Sequence, residues 1–351
     1  MSVSTRLILT GSFATLSARL PIGVQPRNSV VVFDRALLRV SPEFRSWIKK
    51  WPRHIGFASG ESLKDVDHLS KNLKSFAKMC DGISPRELTV IAVGGGSIGD
   101  FAGFVSSVFK RGVQLIHIPS TWLAAIDSSH GGKTALNLGG IKNQIGTFYS
   151  AHAVILVKSL LLQQPVQRTG DAMAEFAKVA IIDGGAWTRK VARSDCEANE
   201  LLWKYLPDAI NSKMKIVRQD PKEAQGLRQV LNLGHTFGHV LEAYYHMSHG
   251  ASVGQGLFFA LEWSHHRGDL NEPTYESMLK FLSETLGLIP QIQKKIISES
   301  KLRILLLGDK KLVSRRRVTF VFVRGWGRVK RENISISDIV REGRRQGWVK
   351  S

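Results

Sequence analysis

The chain has 351 residues, 43% of them hydrophobic and 22% charged, and a formal net charge of +20. This apolar content excludes a disordered or low-complexity chain. No apolar run reaches the ~18 residues of a membrane span, so a soluble chain with no membrane partner is expected. The two cysteines, Cys80 and Cys196, exclude a disulfide framework and a cysteine-rich zinc site, and fit a reducing, cytoplasmic setting. The length predicts two domains.

No acidic residue precedes Asp34, and Ser, Thr and Arg are frequent there, which is a transit-peptide composition. Against that reading, Leu7–Thr10 and Ser29–Phe33 look like strands, and no signal-peptide core is present. His54–Ala58 is another short β-rich run, and Glu61–Met79 has helical spacing. Leu88–Val93 reads as a strand entering glycines, Ser97–Phe109 as a helix, and Val113–Pro119 and Ala153–Val157 as strands. This alternation predicts a mainly parallel sheet with helices on its faces. Beyond Pro165 the pattern changes. Ala172–Ile182, Glu200–Val217, Thr236–Tyr245, Val253–His266 and Tyr275–Leu286 carry helical periodicity, and only Val318–Val323 reads as a strand. The expected architecture is α/β plus all-α: a Rossmann-like nucleotide-binding domain over 1–165, then a mainly helical domain over 166–351. No internal repeat is visible.

Residues Val90 to Asp100 read V-I-A-V-G-G-G-S-I-G-D. Gly94, Gly96 and Gly99 satisfy G-x-G-x-x-G between a strand and a helix. Glycines let the backbone approach a pyrophosphate, and the helix N-terminus offers N–H groups. A tight strand–helix turn without a ligand would look the same. The next strand ends at Ile118–Pro119 with no carboxylate for a ribose, unlike the usual dinucleotide fingerprint. From Pro119 a glycine-rich loop gathers Asp127, Ser128, Ser129, Lys133, Asn137, Lys142 and Asn143. Its lysines and amides suit the phosphate, carboxylate and hydroxyl groups of a small polyanion.

Asn232–His239 reads N-L-G-H-T-F-G-H and starts a helix, so His235 and His239 share a face. His249 follows shortly. Glu175 lies in A-E-F-A-K with Lys178 one turn later. A carboxylate with two or three histidines is a catalytic zinc set, although a lone histidine is more often structural. The spacing leaves open which histidines bind. Residues 301–351 carry 15 basic and 4 acidic residues, a net of +11. Such a tail suits nucleic acid, a solvated surface or a field for an anionic substrate. No nucleic-acid motif accompanies it, so nucleic acid is not the expected partner.

Taken together, these segments resemble the dehydroquinate synthase family, which supplies the second enzyme of the shikimate pathway to chorismate and the aromatic amino acids. The motifs run in family order from about Asp34 to the C-terminal strand. They are G-G-G-S-I-G-D-F-A-G-F, K-R-G, D-S-S-H-G-G-K-T, K-N-Q-I-G-T-F-Y, A-E-F-A-K, L-N-L-G-H-T-F-G-H, H-G and D-K-K. The resemblance implies Zn2+ (or Co2+) on Glu175, His235 and His249, with His239 moving a proton. It implies NAD against Gly95, Gly96 and Asp100, with Asp34, Glu61 and Lys64 near its adenosine. Ser120 and Thr121 stand where the family usually has two threonines by the cofactor, and Asp127, Ser128, Lys133 and Lys142 also border it. Substrate falls to Arg111, Asp127, Lys133, Lys142, Asn143, Lys178, Lys213, Arg228, Asn232, His239 and Lys310 or Lys311. Of these, Lys133, Lys178, Asn143, Arg111 and His239 carry the catalytic roles. A homodimer is implied as well.

The implied substrate is a sugar-acid phosphate, 3-deoxy-D-arabino-heptulosonate 7-phosphate. Its C5 hydroxyl is oxidised, C6–H is thereby acidified, phosphate leaves, hydride returns, and ring opening with aldol closure gives dehydroquinate. Some positions depart from the pattern. The family's H-G-E is His249-Gly250-Ala251, Ala172 replaces a glycine, and the stretch around Glu223, Ala224 and Gln225 is one residue longer. His130 and Ile141 are also unusual. Alternatives are a sister cyclase acting on sedoheptulose 7-phosphate or glucose 6-phosphate, a metal-dependent polyol dehydrogenase, and a basic binding protein without catalysis. The intact D-S-S-x-G-G-K-T disfavours a sister cyclase.

Overall fold

Strands in the first half are β1 (Arg6–Thr10), β2 (Ser29–Asp34), β3 (His54–Phe57), β4 (Thr89–Gly94), β5 (Gln114–Pro119), β6 (Lys133–Leu138), β7 (Ile141–Phe148) and β8 (Ala153–Val157). Six of them form one parallel sheet in the order β1–β8–β5–β4–β2–β3. The structure is a computed structural model that describes residues 5–290, 296–307, 312–314 and 317–350. It divides into two compact units, ending at Arg168 and beginning at Thr169.

The sheet is buried on both faces, which is why its strands read as unbroken apolar runs. Val31, Phe33, Ile91, Val93, Ile116 and Ile118 face Phe44, Trp47 and Trp51. The alternate residues Val30, Val32, Val90 and Ala92 face Phe76, Phe101 and Val105. Residue Arg6 pairs with Ala153, so the acid-free N-terminal segment contributes a sheet strand. Helices α1 (Val66–Met79) and α2 (Gly96–Val108) belong to this unit.

Two expectations change here. The helix read over Glu61–Met79 is broken: a 3-10 turn covers Glu61–Lys64, and α1 starts only after Asp65. The Asp65 carboxylate accepts from Asp67 N at 3.0 Å, so it caps the helix from an extended backbone. The glycine-rich loop is an antiparallel ribbon, β6 with β7, preceded by a single π-turn over Ala124–Ser128. Gly139 and Gly140 both have positive φ, +57° and +75°, the requirement of a two-residue hairpin turn. The polar content of the strands hid this pattern.

In the second unit, α3 (Val166–Asp183) is followed by α4 (Ala198–Gln219), α5 (His235–Tyr245), α6 (His249–His266), α7 (Glu272–Lys280), α8 (Glu299–Leu307) and α9 (Ile336–Arg345). The single strand expected at Val318–Val323 is the middle of an antiparallel sheet of β9 (Leu312–Ser314), β10 (Arg317–Gly325) and β11 (Arg328–Ser335). Strand β10 is buried and apolar, whereas β11 is charged and half-exposed, which masked it in the sequence. Part of the C-terminal positive charge is matched by carboxylates. Arg303 and Arg344 pair with Glu299, Arg345 with Glu262 and Glu342, Arg324 with Asp269, and Lys330 with Glu332. No described helix is long and apolar enough to cross a membrane.

His117 on β5 is buried against Gly99 of α2, and burial pushes its imidazole down to about 4. The unfolded chain protonates this residue near pH 6.5, while the folded chain resists until about pH 4. The unfolded state therefore binds more protons across that window, and stability falls as pH drops through it, by roughly 3 kcal/mol. Urea denaturation between pH 7 and pH 4.5 should show this slope, and His117→Leu should flatten it. Identical slopes in the two proteins would contradict the assignment.

Candidate functional site

In the first unit the polar residues gather at the carboxyl ends of neighbouring strands. Strands β2 and β4 are adjacent, with Phe33 opposite Val93, so Asp34 and the Gly94–Gly96 turn emerge side by side. The chain leaves β2 toward β3 on one side and returns to β4 on the other. Ligands of open α/β sheets bind at such a switch point. Asp34 is a carboxylate at the end of β2, its Oδ1 accepting from Ala36 N at 2.9 Å. A cavity of about 390 Å³ opens beyond the ends of β2 and β3, lined by Asp34, Arg35, Ala36, Leu38, Arg39, Ala58 and Ser59. Sequence reasoning singled out Asp34 and missed Arg35, Arg39 and Ser59.

Around the glycine turn, Ser120 N donates to Gly94 O at 2.9 Å, and Thr121 Oγ1 accepts from Ala124 N at 3.1 Å. Thr121 and Ser128 pack closest to the open sides of Gly95 and Gly96. Behind the turn, buried Lys64 donates to Asp100 Oδ2 at 2.7 Å and to Asn143 Oδ1 at 2.6 Å. Burial raises the Asp100 carboxyl above its usual range, with Lys64 pulling the other way. Glu61 does not pair with Lys64 but accepts from Asn137 Nδ2 at 2.7 Å. The ladder skips Asn137, whose Oδ1 accepts from Asn143 N at 2.9 Å and holds Asn143 at φ +56°. Asn137 is thus a structural clamp for Asn143. Lys133 opens β6 and Lys142 is exposed on β7, while Asp127 lies in the π-turn. Arg111 is exposed beyond the other end of α2, the helix whose start carries the glycine turn. His130 is buried with Nε2 3.0 Å from Ala125 O, and Ile141 is exposed.

In the second unit three helices bring Glu175, His235 and His249 together. One donor atom from each lies within 4.8 Å of the others. Gly250 permits this: a Cβ there would stand 2.1 Å from Asp171 O, so α6 starts in backbone contact with α3. Gly256 likewise lets α6 meet the turn before α5, where a Cβ would fall 1.8 Å from Gly234 O. These close approaches explain the glycine after His249, and Ala251 follows as an ordinary first-turn residue with its N–H on Ser248 Oγ.

Glu175 is almost fully buried, and its Oε2 pairs with Lys178. Its Oε1 has no hydrogen-bond partner of good geometry, yet His235 Nε2 stands 3.1 Å away and His249 Nε2 3.6 Å. A buried carboxylate oxygen facing two imidazole nitrogens is the donor arrangement of a divalent metal site. Burial alone would raise the Glu175 carboxyl, but Lys178 and the imidazoles hold it well below the ordinary range. Burial would lower His249, but Glu175 and Glu242 push it up to about 10. His235 Nδ1 engages Leu233 O at 3.1 Å, which turns Nε2 toward Glu175. His239 lies one turn on, 5.5 Å ring to ring from His235.

Lys213 is buried on α4, and Arg228 is buried with Nη1 on Pro221 O at 3.2 Å. Asn232 ends a 3-10 turn just before α5, and Glu223 sits at φ +57° in the preceding loop. Lys310 and Lys311 lie outside the described residues. Glu242, which accepts from His249 Nδ1 at 3.1 Å, was missed. Its spacing of three from His239 on one helix was the available signal.

The fold is an α/β unit followed by a mainly helical unit. It is similar to the crystal structure of 2-deoxy-scyllo-inosose synthase complexed with carbaglucose-6-phosphate, NAD+ and Co2+, with a TM-score of 0.81 at 20% identity over 97% of this chain and 96% of the other. The 3-dehydroquinate synthase N-terminal family model matches residues 54–170, and the C-terminal one residues 172–312. This chain belongs to the 3-dehydroquinate synthase family. It is 32% identical to 3-dehydroquinate synthase of Zymomonas mobilis over 87% of this chain and 83% of that protein. It is 33% identical to the bifunctional shikimate kinase/3-dehydroquinate synthase of Thermotoga maritima over 86% of this chain, and spans 60% of that longer relative.

Glu175→Ala should weaken zinc binding by more than ~100-fold, beyond the effect of losing an outer partner. Competition with a chromophoric chelator measures this. Zinc affinity equal to that of the unmodified chain would remove Glu175 from the ligand set.

Proposed function

We propose that this protein converts 3-deoxy-D-arabino-heptulosonate 7-phosphate to 3-dehydroquinate and phosphate, as a carbon–oxygen lyase of aromatic amino acid biosynthesis. The observation that carries this reading is the Glu175–His235–His249 donor set with Lys178 beside it, on a chain matched to one family across both units. NAD supplies a hydride acceptor that is regenerated in each cycle, and zinc or cobalt supplies a Lewis acid for a substrate oxygen. The chain's own groups do the rest.

Glu175, His235 and His249 hold the metal. The glycine turn at Gly95 and Gly96, with Asp34, Asp100, Ser120, Thr121 and Ser128, would hold the dinucleotide, the N–H groups at the start of α2 suiting its phosphates. Lys64 fixes Asp100 and Asn143 relative to each other. Lys133, Lys142, Lys178, Lys213 and Arg228 supply the positive charge that an anionic phosphate and carboxylate require, with Asp127, Asn143 and Asn232 for hydroxyls, whereas Arg111 lies beyond the far end of α2 from the glycine turn and is not counted among them. His239 moves a proton in this reading, which its ring, 5.5 Å from that of His235 and outside the donor set, supports. A homodimer is part of the proposal.

Purified protein with NAD, zinc and the heptulosonate phosphate should release phosphate and form dehydroquinate with no net NADH. Accumulating NADH without phosphate would instead indicate a polyol dehydrogenase. No phosphate from this substrate, but turnover of glucose 6-phosphate or sedoheptulose 7-phosphate, would indicate a sister cyclase. Lys133→Ala should cut turnover by about 10²-fold while the melting temperature stays unchanged; unaltered kinetics would strip Lys133 of its role.

A further inference from the structure

Each imidazole of the donor set has its far nitrogen engaged. His235 Nδ1 is on a backbone carbonyl, Leu233 O. His249 Nδ1 is on a carboxylate instead, Glu242 Oε2 at 3.1 Å, while its Nε2 faces Glu175 Oε1 at 3.6 Å. Glu242 comes from α5, the same helix that supplies His235 and His239, whereas His249 begins α6. A carboxylate that accepts Nδ1–H fixes an imidazole in the tautomer whose Nε2 lone pair is available, and sets the ring's orientation. His249 is the ligand most in need of this. Its side chain is 34% exposed, against 12% for His235 and 1% for Glu175, so packing restrains its rotation least.

We propose that Glu242 is a positioning residue for the metal site, acting on it through His249. The inference rests on the metal reading of Glu175, His235 and His249, and deepens it. His239, Glu242 and His249 also lie close enough to hold an ion of their own. With Nδ1 of His249 bonded to Glu242, that group is instead the outer layer of a single site.

Zinc affinity and stoichiometry, measured on the full chain by chelator competition, test this. Glu242→Ala should weaken binding by about 10- to 100-fold. Glu242→Gln keeps an acceptor oxygen and the side-chain shape, folds without a cavity, and should lose only several-fold. In a His249→Ala background, adding Glu242→Ala should cost nothing further. A merely structural carboxylate would cost as much in both backgrounds, and that result overturns the proposal. So does unchanged affinity in Glu242→Ala, or two zinc ions per chain falling to one in that variant. If Glu175→Ala also binds zinc like the unmodified chain, the metal reading itself has failed, which is a separate outcome.

Discussion

A carboxylate cannot stay ionised inside a protein without partners, and the arrangement around Glu175 follows from that constraint. Lys178, three residues on along α3, satisfies one oxygen. The other is left to two imidazoles delivered by α5 and α6. Helix α6 reaches α3 where Gly250 leaves room for Asp171, and it reaches the turn before α5 where Gly256 leaves room for Gly234. The stacked rings of Phe237 and Phe259, 3.8 Å apart, lock the pair of helices together. The same packing that buries the charge therefore builds the donor set. Replacing either glycine would push apart the helices that the ligands depend on.

The first unit solves a different problem. Its sheet is covered on both faces, so the only open ends are the strand termini, and the glycine turn sits at one of them. The buried Lys64–Asp100 pair and the Asn137–Asn143 clamp tie the start of α2 to the β6–β7 ribbon. Neither contact is a local one: Lys64 and Asn143 are 79 residues apart in sequence. In the basic C-terminal segment, Glu299, Glu262, Glu342, Asp269 and Glu332 pair with several of the arginines and lysines. The exposed pairs among these contribute little individually.

How much was legible depended on how local the signal was. Strands β2, β4 and β8 carry unbroken apolar runs, and their limits and those of β3 and β5 could be read to within a residue or two. The ribbon could not, because Lys133–Leu138 and Ile141–Phe148 carry lysines and asparagines where a strand pattern expects apolar residues. Strand β11 was hidden for the same reason. Asp65 interrupts a helical periodicity that looked continuous, because a side-chain cap overrides spacing. At the metal site, the sequence offered Glu175, His235, His239 and His249 as donors but could not choose among the histidines without the family resemblance. Glu242 escaped notice entirely.

What the sequence determined by itself was therefore chemical and local: the motifs that mark the family, the apolar strands, and the glycine turn between β4 and α2. The tertiary structure decided which groups meet. Glu175 and His235 are 60 residues apart, and no periodicity connects them; only helix packing at glycine contacts sets their 3.1 Å approach. It also decided which nitrogen each imidazole presents, because that depends on what its other nitrogen bonds. For His249 that partner is Glu242, on a neighbouring helix; spacing sets Glu242 on the face of His239, but only the packing of the two helices brings it to His249.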